Sequence, residues 1–403
     1  MFGSKSSTTD IVIIGSGISG LSLAWYCSQK GLKTRIIEKA NHFGGAFHSH
    51  DFESGGETPF WLELGAHTFY NSYGNLIKIL EESSLITQII PRAKVPFRVL
   101  EDGKIKSITS KLNFLELAYS MPKLFFAKKT DCTVEEYYKK IVGVNNYNRL
   151  FTHFFSAVPS QKADEFPADM LFKKKPRNKE IIRSYTFKLG AQMVIDKLTV
   201  AKGVEATHDD GVTKIKSSNK DFEITTEKGE KVRSKYLAIT TPVNIASQLL
   251  ETYDPEISES LSKIETRRAE SQGVIVHKDN VPVAGFAGLV PLERGFFSVV
   301  SRDTVPHPKY RGFTFHFEAG RFSLREKMER ITKTLGIQEE QILQTIHKVN
   351  ILPSPKSGHH QLISKIDRKL LGTNLILTGN YFAGMAIEDC VTRTRSEFQR
   401  VFE

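Results

Sequence analysis

The chain has 403 residues, with 56 Lys and Arg against 45 Asp and Glu, a formal net charge of +11 and an ordinary apolar content. That length exceeds what one domain of common size needs, so two domains are expected, and no nucleic-acid-binding module accompanies the basic excess. Cys27, Cys132 and Cys390 lie far apart without C-x-x-C spacing, which excludes a disulfide framework or cysteine zinc site and implies reduced thiols.

Residues 1–9 read as a flexible tail. Residues 10–38 then run strand, glycine turn, helix, strand and acid. Ile11 to Ile14 are a β-branched run suited to a strand buried on both faces, and Gly15-Ser16-Gly17-Ile18-Ser19-Gly20 is a G-x-G-x-x-G turn. Gly15 suits the tight turn, Gly17 lets backbone approach a pyrophosphate, and Gly20 lets the next helix pack closely with its positive end toward the phosphates. Thr34 to Ile37 form the second strand. Glu38 closes it, placed to accept both hydrogen bonds of a ribose diol and to repel a 2′-phosphate. A dinucleotide of the FAD or NAD type is expected over NADP. The uncharged stretch from Ile11 to Gln29 resembles a membrane span in composition, but its three glycines and four serines and its fit to the nucleotide fold argue otherwise. No other long uncharged apolar run is evident, so a cytoplasmic protein is expected.

Glycine pairs follow at Gly44-Gly45 and Gly55-Gly56, then the segment from Leu62 to Tyr70. Residues 76–185 read as mainly helical and lysine-rich. Around 186–250 the pattern returns to strands at 203–207, 222–226 and 236–240, ending at Thr241-Pro242, as in a three-strand excursion that rejoins a parallel sheet. Residues 270–320 are strand-like and 321–350 contain an amphipathic helical stretch. In the last segment a buried strand ends at Gly379, a turn follows, and Ala386 opens a helix.

Several side-chain groups invite chemistry. Lys173, Lys174, Lys175, Arg177, Lys179, Arg183 and Lys188 form a basic run, and Lys123, Lys128 and Lys129 flank Leu124-Phe125-Phe126. These read as solvated surface or, in the sharper alternative, as a peripheral contact with anionic lipid. His42, His48, His50 and His67 crowd one region, with His48 and His50 on one side of a strand, but no cysteine or carboxylate pattern supports a metal. Glu388-Asp389 could steer a cation or act as a base, although acids in a first helical turn also simply complement the dipole. Cys390 is read as a semi-buried thiol and not a flavin attachment point. No linear hydrolase triad is recognisable.

With these segments in place the chain resembles the FAD-dependent amine-oxidase and protoporphyrinogen-oxidase superfamily. Three stretches carry the likeness. The first is Gly44-Gly45 followed by Leu64-Gly65-Ala66-His67-Thr68-Phe69. The second runs from Leu189-Gly190-Ala191 through Gly203-Val204 to Thr240-Thr241-Pro242. The third joins Pro353-Ser354-Pro355-Lys356-Ser357-Gly358-His359 to Gly379-Asn380-Tyr381-Phe382-Ala383-Gly384. The chain departs from that pattern at Ala46, where relatives commonly carry arginine, and at Gly190-Ala191, where a glycine pair is frequent.

The resemblance implies an α/β fold: a Rossmann-type FAD-binding domain with a parallel sheet (1–92, 186–250 and 365–403) plus a mixed α+β substrate domain (93–185 and 251–364). It implies noncovalent FAD held by Gly15, Ser16, Gly17, Ile18, Ser19, Gly20, Glu38, Lys39, Gly44, Gly45, Ala46, Gly65, Ala66, His67, Val204, Gly379, Asn380, Gly384, Ala386 and Ile387. In this set the Val204 backbone would lie near the adenine, and the helix opened by Ala386 would face the flavin. His67, Tyr70, Tyr381 and Phe382 fall in segments expected near the isoalloxazine, where their bulk could equally be core packing. The implied reaction is two-electron oxidation of a small-molecule substrate at a C–H bond beside nitrogen or in a conjugated system, with oxygen or a quinone as acceptor. A UDP-sugar mutase, for which Arg267-Arg268 would bind diphosphate, a carotenoid-type desaturase or isomerase, and a non-catalytic FAD-binding protein are the alternatives.

Overall fold

The computed structural model describes residues 9–52, 58–218, 221–293 and 295–403. Residues 1–8 and the Gly55-Gly56 pair lie outside these. In chain order the strands are β1 (Thr9–Ile14), β2 (Thr34–Ile37), β3 (Ser49–Phe52), β4 (Phe60–Glu63), β5 (Phe69–Tyr70), β6 (Ile89–Pro91), β7 (Phe97–Glu101), β8 (Lys104–Ser107), β9 (Ser184–Phe187) and β10 (Val204–Thr207). They continue with β11 (Val212–Ser218), β12 (Asp221–Thr226), β13 (Lys231–Ile239), β14 (Thr266–His277), β15 (Gly288–Pro291), β16 (Ser298–Ser301), β17 (Tyr310–Glu318), β18 (Ile342–Pro353) and β19 (Leu375–Leu377). Thr9, read as tail, opens β1.

Strand alternation builds the first unit. Ile11 and Ile13 point into a core shared with the helices Ile18–Gln29, Gln192–Thr199 and Ile387–Phe402, while Val12 and Ile14 point into a core shared with Val243–Leu250, Pro255–Ser262 and His359–Leu370. A strand covered on both faces reads as one unbroken apolar run, as IVII does. The sheet order is β10-β2-β1-β13-β12-β11, with β19 also paired to β13. β1, β2, β10, β13 and β19 are mutually parallel, and β11 and β12 are the antiparallel excursion. This core extends past the expected boundaries at 250 and 365, because Ile257, Leu261 and Ile264 pack in it and the helix His359–Leu370 adds Leu362 and Ile363 against it.

The second sheet runs β18-β14-β17-β16-β15-β7-β8. Val274, Val276, Phe313, Phe315 and Phe317 on one face pack against Met328, Ile331 and Leu335 of the helix Leu324–Leu335. The other face meets the β3–β4 hairpin. Gly273 and Gly312 sit on neighbouring strands, and a Cβ at either would fall 2.9 Å from Leu62, so only glycine admits that contact. A helical segment with a core of Val134, Tyr137, Tyr147, Phe155 and Phe166 completes the molecule.

One secondary-structure expectation needs correction and another is met. Residues 76–185, read as mainly helical, contain β6, β7 and β8 and the start of β9. The amphipathic helical stretch expected within 321–350 is the helix Leu324–Leu335, closed by Gly336 at φ +69° as a left-handed cap, and β18 begins at Ile342.

Candidate dinucleotide and substrate site

All five parallel strands end on one rim, and the order departs from β1 toward β2 and β10 on one side and toward β13 and β19 on the other. A crevice at such a reversal is where open α/β sheets bind nucleotides. Gly15 takes φ +100°, and a Cβ on Gly20 would sit 2.1 Å from the Gly15 carbonyl oxygen, so turn and helix close on each other only with glycine at both positions. The first helix has no side-chain cap and no acid in its first turn, and among the described residues the N–H groups of Ile18, Ser19 and Gly20 have no acceptor. Three free donors at a positive helix end, beside the open space over Gly17, fit a pyrophosphate.

Glu38 stands at this rim and also holds the loop. Its Oε2 accepts from Ser16 N at 2.8 Å and Ser16 Oγ at 2.7 Å, and its Oε1 accepts from Ala40 N at 2.8 Å. A carboxylate offers about four acceptor positions. Glu38 therefore clamps the glycine loop and retains an acceptor position on Oε1. Lys39 turns away to an ion pair with Glu227 at 2.7 Å. Val204 is also misplaced: it pairs with Thr34 at the start of β2, the end remote from the loop. The residues beside Glu38 are Thr207, whose carbonyl accepts from Glu38 N, and Asp210, whose N–H donates to the Glu38 carbonyl.

The two glycine segments stack on the loop. Gly44 N donates to Ser16 O at 3.1 Å, and Gly45, at φ +57°, lies so close that a Cβ would be 3.2 Å from Gly17 Cα. Ala66 N donates to Ala46 O at 3.0 Å, and a Cβ on Gly65 would lie 2.0 Å from that oxygen. Ala46 brings no charge, but a cation reaches this turn from the second sheet: Lys348 Nζ donates to Gly45 O at 2.5 Å. Burial pushes the Lys348 ammonium down to about 8, against the pull of Glu63 and Glu38.

At the far end of the rim Gly384 takes φ +135°, and Ala386 begins the helix Ile387–Phe402 without a side-chain cap. The N–H groups of Ile387 and Glu388 have no acceptor among the described residues. This helix lies along the first one, with Thr394 Oγ1 3.4 Å from Ser19 O, so two uncapped helix N-termini share the rim. Gly379 and Asn380 lie in the turn between. Glu388 serves more than its own helix: its carboxylate accepts from Asn75 N at 2.8 Å and Leu76 N at 3.1 Å, capping the neighbouring helix Gly74–Glu82. Asp389 accepts from Lys175 Nζ at 2.6 Å. Cys390 is a buried free thiol pushed up to about 12 by burial.

Of the four aromatic and histidine candidates only His67 faces the site. Tyr381 and Phe382 pack in the helix-covered core behind the sheet, with the Arg393 guanidinium 4.0 Å from the Phe382 ring centroid. Tyr70 is partly exposed and edges onto Tyr73. His67 bonds the Gly65 carbonyl through Nδ1 at 2.8 Å, and burial lowers it to about 4, so the ring is neutral at pH 7. His42 and His48 lie with ring centroids 4.8 Å apart, and His50 meets Gln344. Among the described residues no three metal-ligating side chains converge.

The second sheet supplies groups that were not anticipated. His316, Ser271 and Lys348 sit in register across β17, β14 and β18. His316 Nδ1 is 3.1 Å from Ser271 Oγ, and burial, with His67 adding a smaller push, lowers His316 to about 3. The row faces the glycine layers, as the Lys348–Gly45 contact and the Thr314 Oγ1 bond to Glu63 O at 2.7 Å show. Beside His67, a water-sized cavity of about 30 Å³ is lined by Glu63, Arg92, Arg302 and Thr314. Arg302 Nη1 is buried there without a partner among the described residues. Arg267 and Arg268 are consecutive on β14, so they point to opposite faces and cannot converge on one diphosphate. Arg268 borders a recess of about 560 Å³ on the face away from the glycine layers, with the Glu270–Lys327 ion pair at its floor.

Rim, glycine loop and paired helix ends define a Rossmann-type α/β fold with a second sheet laid over the rim. The family model for an NAD(P)-binding Rossmann-like domain matches residues 13–83. Among curated relatives, protoporphyrinogen oxidase 1 of the chloroplast from Arabidopsis thaliana is 22% identical over 96% of this chain and 87% of its own length. Among solved structures, a protein from Exiguobacterium assigned as a protoporphyrinogen oxidase superposes with TM-score 0.79 at 17% identity, covering 98% of both chains. Putrescine oxidase bound to putrescine gives TM-score 0.69 at 13% identity over 98% of this chain and 99% of that one. The relatives and structural neighbours thus include protoporphyrinogen oxidases and amine oxidases, and the fold is theirs.

Proposed function

We propose that the protein is an FAD-dependent oxidoreductase that holds FAD noncovalently and oxidises a small molecule by two electrons at a C–H bond beside nitrogen or in a conjugated system. Oxygen or a quinone takes the electrons on. The observation that carries this reading is the meeting of two uncapped helix N-termini with the glycine layers on one rim, under the His316–Ser271–Lys348 row. The donors at Ile18, Ser19 and Gly20 fit the pyrophosphate, those at Ile387 and Glu388 fit an electron-rich ring edge, and bound FAD would supply the two-electron acceptor. His67 and His316 are held neutral by burial, which leaves Lys348 as the group at this site whose protonation changes near pH 8. Its neutral amine takes a proton from the substrate. The opposed Arg267 and Arg268 weigh against a mutase.

Anaerobic mixing with three probes tests this reading. A protoporphyrinogen-like tetrapyrrole or an amine bleaches the visible absorbance, whereas NADPH does not, because only one glycine fingerprint is present. Stoichiometric reduction by NADPH with no response to either other probe would overturn it. Bleaching by the tetrapyrrole and not the amine selects protoporphyrinogen-like chemistry, and the converse selects amine oxidation.

A further inference from the structure

The helix Phe114–Ser120 and the turn that follows it are built the wrong way round for a soluble surface. Asn113 caps the helix by accepting from Glu116 N, and the Glu116 carboxylate accepts from Asn145 N at 2.8 Å and Asn146 N at 2.9 Å, so the polar side is tied to the protein. The apolar side points out. Leu115 is 85% exposed, Tyr119 78%, Phe125 87% and Phe126 86%, and Phe114, Met121, Leu124 and Phe172 are each about half exposed or more. Leu115 and Tyr119 stand four residues apart on one helix face. Single exposed apolar residues need no explanation, but a contiguous group of this size marks a contact surface.

The charge around the patch identifies what it contacts. Lys123 and Lys128 are exposed and form no ion pair among the described residues, and Lys174 is a third such lysine close in sequence to Phe172. Lys129 is spent internally on the carbonyls of Leu171 and Phe172. Between Lys104 and Thr130 the only acid is Glu116, which faces inward. A second copy of this chain would bring the same lysines against each other, whereas an anionic bilayer offers hydrocarbon for the aromatic side chains and phosphates for the ammonium groups. No described helix is long and apolar enough to cross a membrane, so the contact is peripheral. We propose that residues 114–126, with Phe172, dock the protein onto an anionic lipid surface.

Co-sedimentation of the intact protein with vesicles tests this, using phosphatidylcholine alone and phosphatidylcholine mixed with phosphatidylglycerol. The protein partitions onto the mixed vesicles and not the neutral ones, and added salt weakens the binding. Lys123→Gln with Lys128→Gln lowers the partition coefficient about fivefold per charge, and Phe125→Ser with Phe126→Ser lowers it by roughly tenfold or more. All four positions are exposed, so unchanged circular dichroism is expected. Absence of binding, equal binding to both vesicle types, or binding that survives the phenylalanine changes would overturn the proposal. So would a wild-type dimer that those changes disperse, which would assign the face to a second copy.

Discussion

Glu38 illustrates how a residue can be found from sequence and part of its work missed. The strand-end acid was legible from spacing alone, yet a pattern cannot show that Ser16 and Ala40 compete for its lone pairs. Glu38→Ala strips acceptors from the fully buried Ser16 and from Ala40. Cofactor affinity falls by at least tenfold, and stability falls by about 1–3 kcal/mol for a buried donor left unpaired. Flavin fluorescence on dilution and a urea titration measure the two, and an unchanged affinity would remove Glu38 from the site. Lys348 was invisible for the opposite reason, since nothing local marks a lysine that only tertiary packing buries. Its folded pKa, about 8, lies below an unfolded value of about 10.4. The folded state then binds fewer protons across that window, so the cofactor-free protein gains stability as pH rises from about 8 toward about 10.4, and the gain is absent below pH 8. Lys348→Met removes this slope in pH-dependent unfolding. It also removes the rise in anaerobic reduction rate that the wild type shows near pH 8. A variant that keeps both pH dependences would show that the lysine is a bystander.

At the scale of elements, periodicity succeeded where one rule governed a whole segment. Ile11 to Ile14 and Thr34 to Ile37 became strands because both faces are covered, and Ala386 begins a helix as read. It failed where two periods were spliced. Residues 321–350 join the expected helix to a strand through Gly336, and only the helix was read. Tyr381 and Phe382 were drawn toward the flavin by their position after the last strand, but the turn swings them into the apolar layer under the helices. Contacts between remote elements were equally hidden, Glu388 being the clearest. Glu388→Gln leaves one carbonyl oxygen for two backbone donors at the start of the helix Gly74–Glu82, which lacks a cap of its own. The loss expected in chemical unfolding is about 1–2 kcal/mol, with cofactor content preserved. A change below about 0.3 kcal/mol would mean that water replaces the cap as well.

For the whole molecule, the parallel sheet and the second sheet meet across the glycine layers through Lys348, Thr314 and Leu62. The sequence made the first unit and its resemblance plain, but the second sheet pairs β7 with β15, nearly two hundred residues later, a relation without local signature. A cofactor seated between the two units binds the folded chain alone, and at a thousandfold excess over its Kd adds about 4 kcal/mol to stability. Added FAD should therefore raise the melting temperature of stripped protein, whereas FMN, lacking the adenosine half, should raise it far less. Acid precipitation of the freshly purified protein tests the central claim most directly. The account predicts a yellow supernatant whose chromophore has the mass of FAD and a colourless pellet. A coloured pellet, FMN in the supernatant, or no flavin in either fraction even after reconstitution with FAD would contradict it.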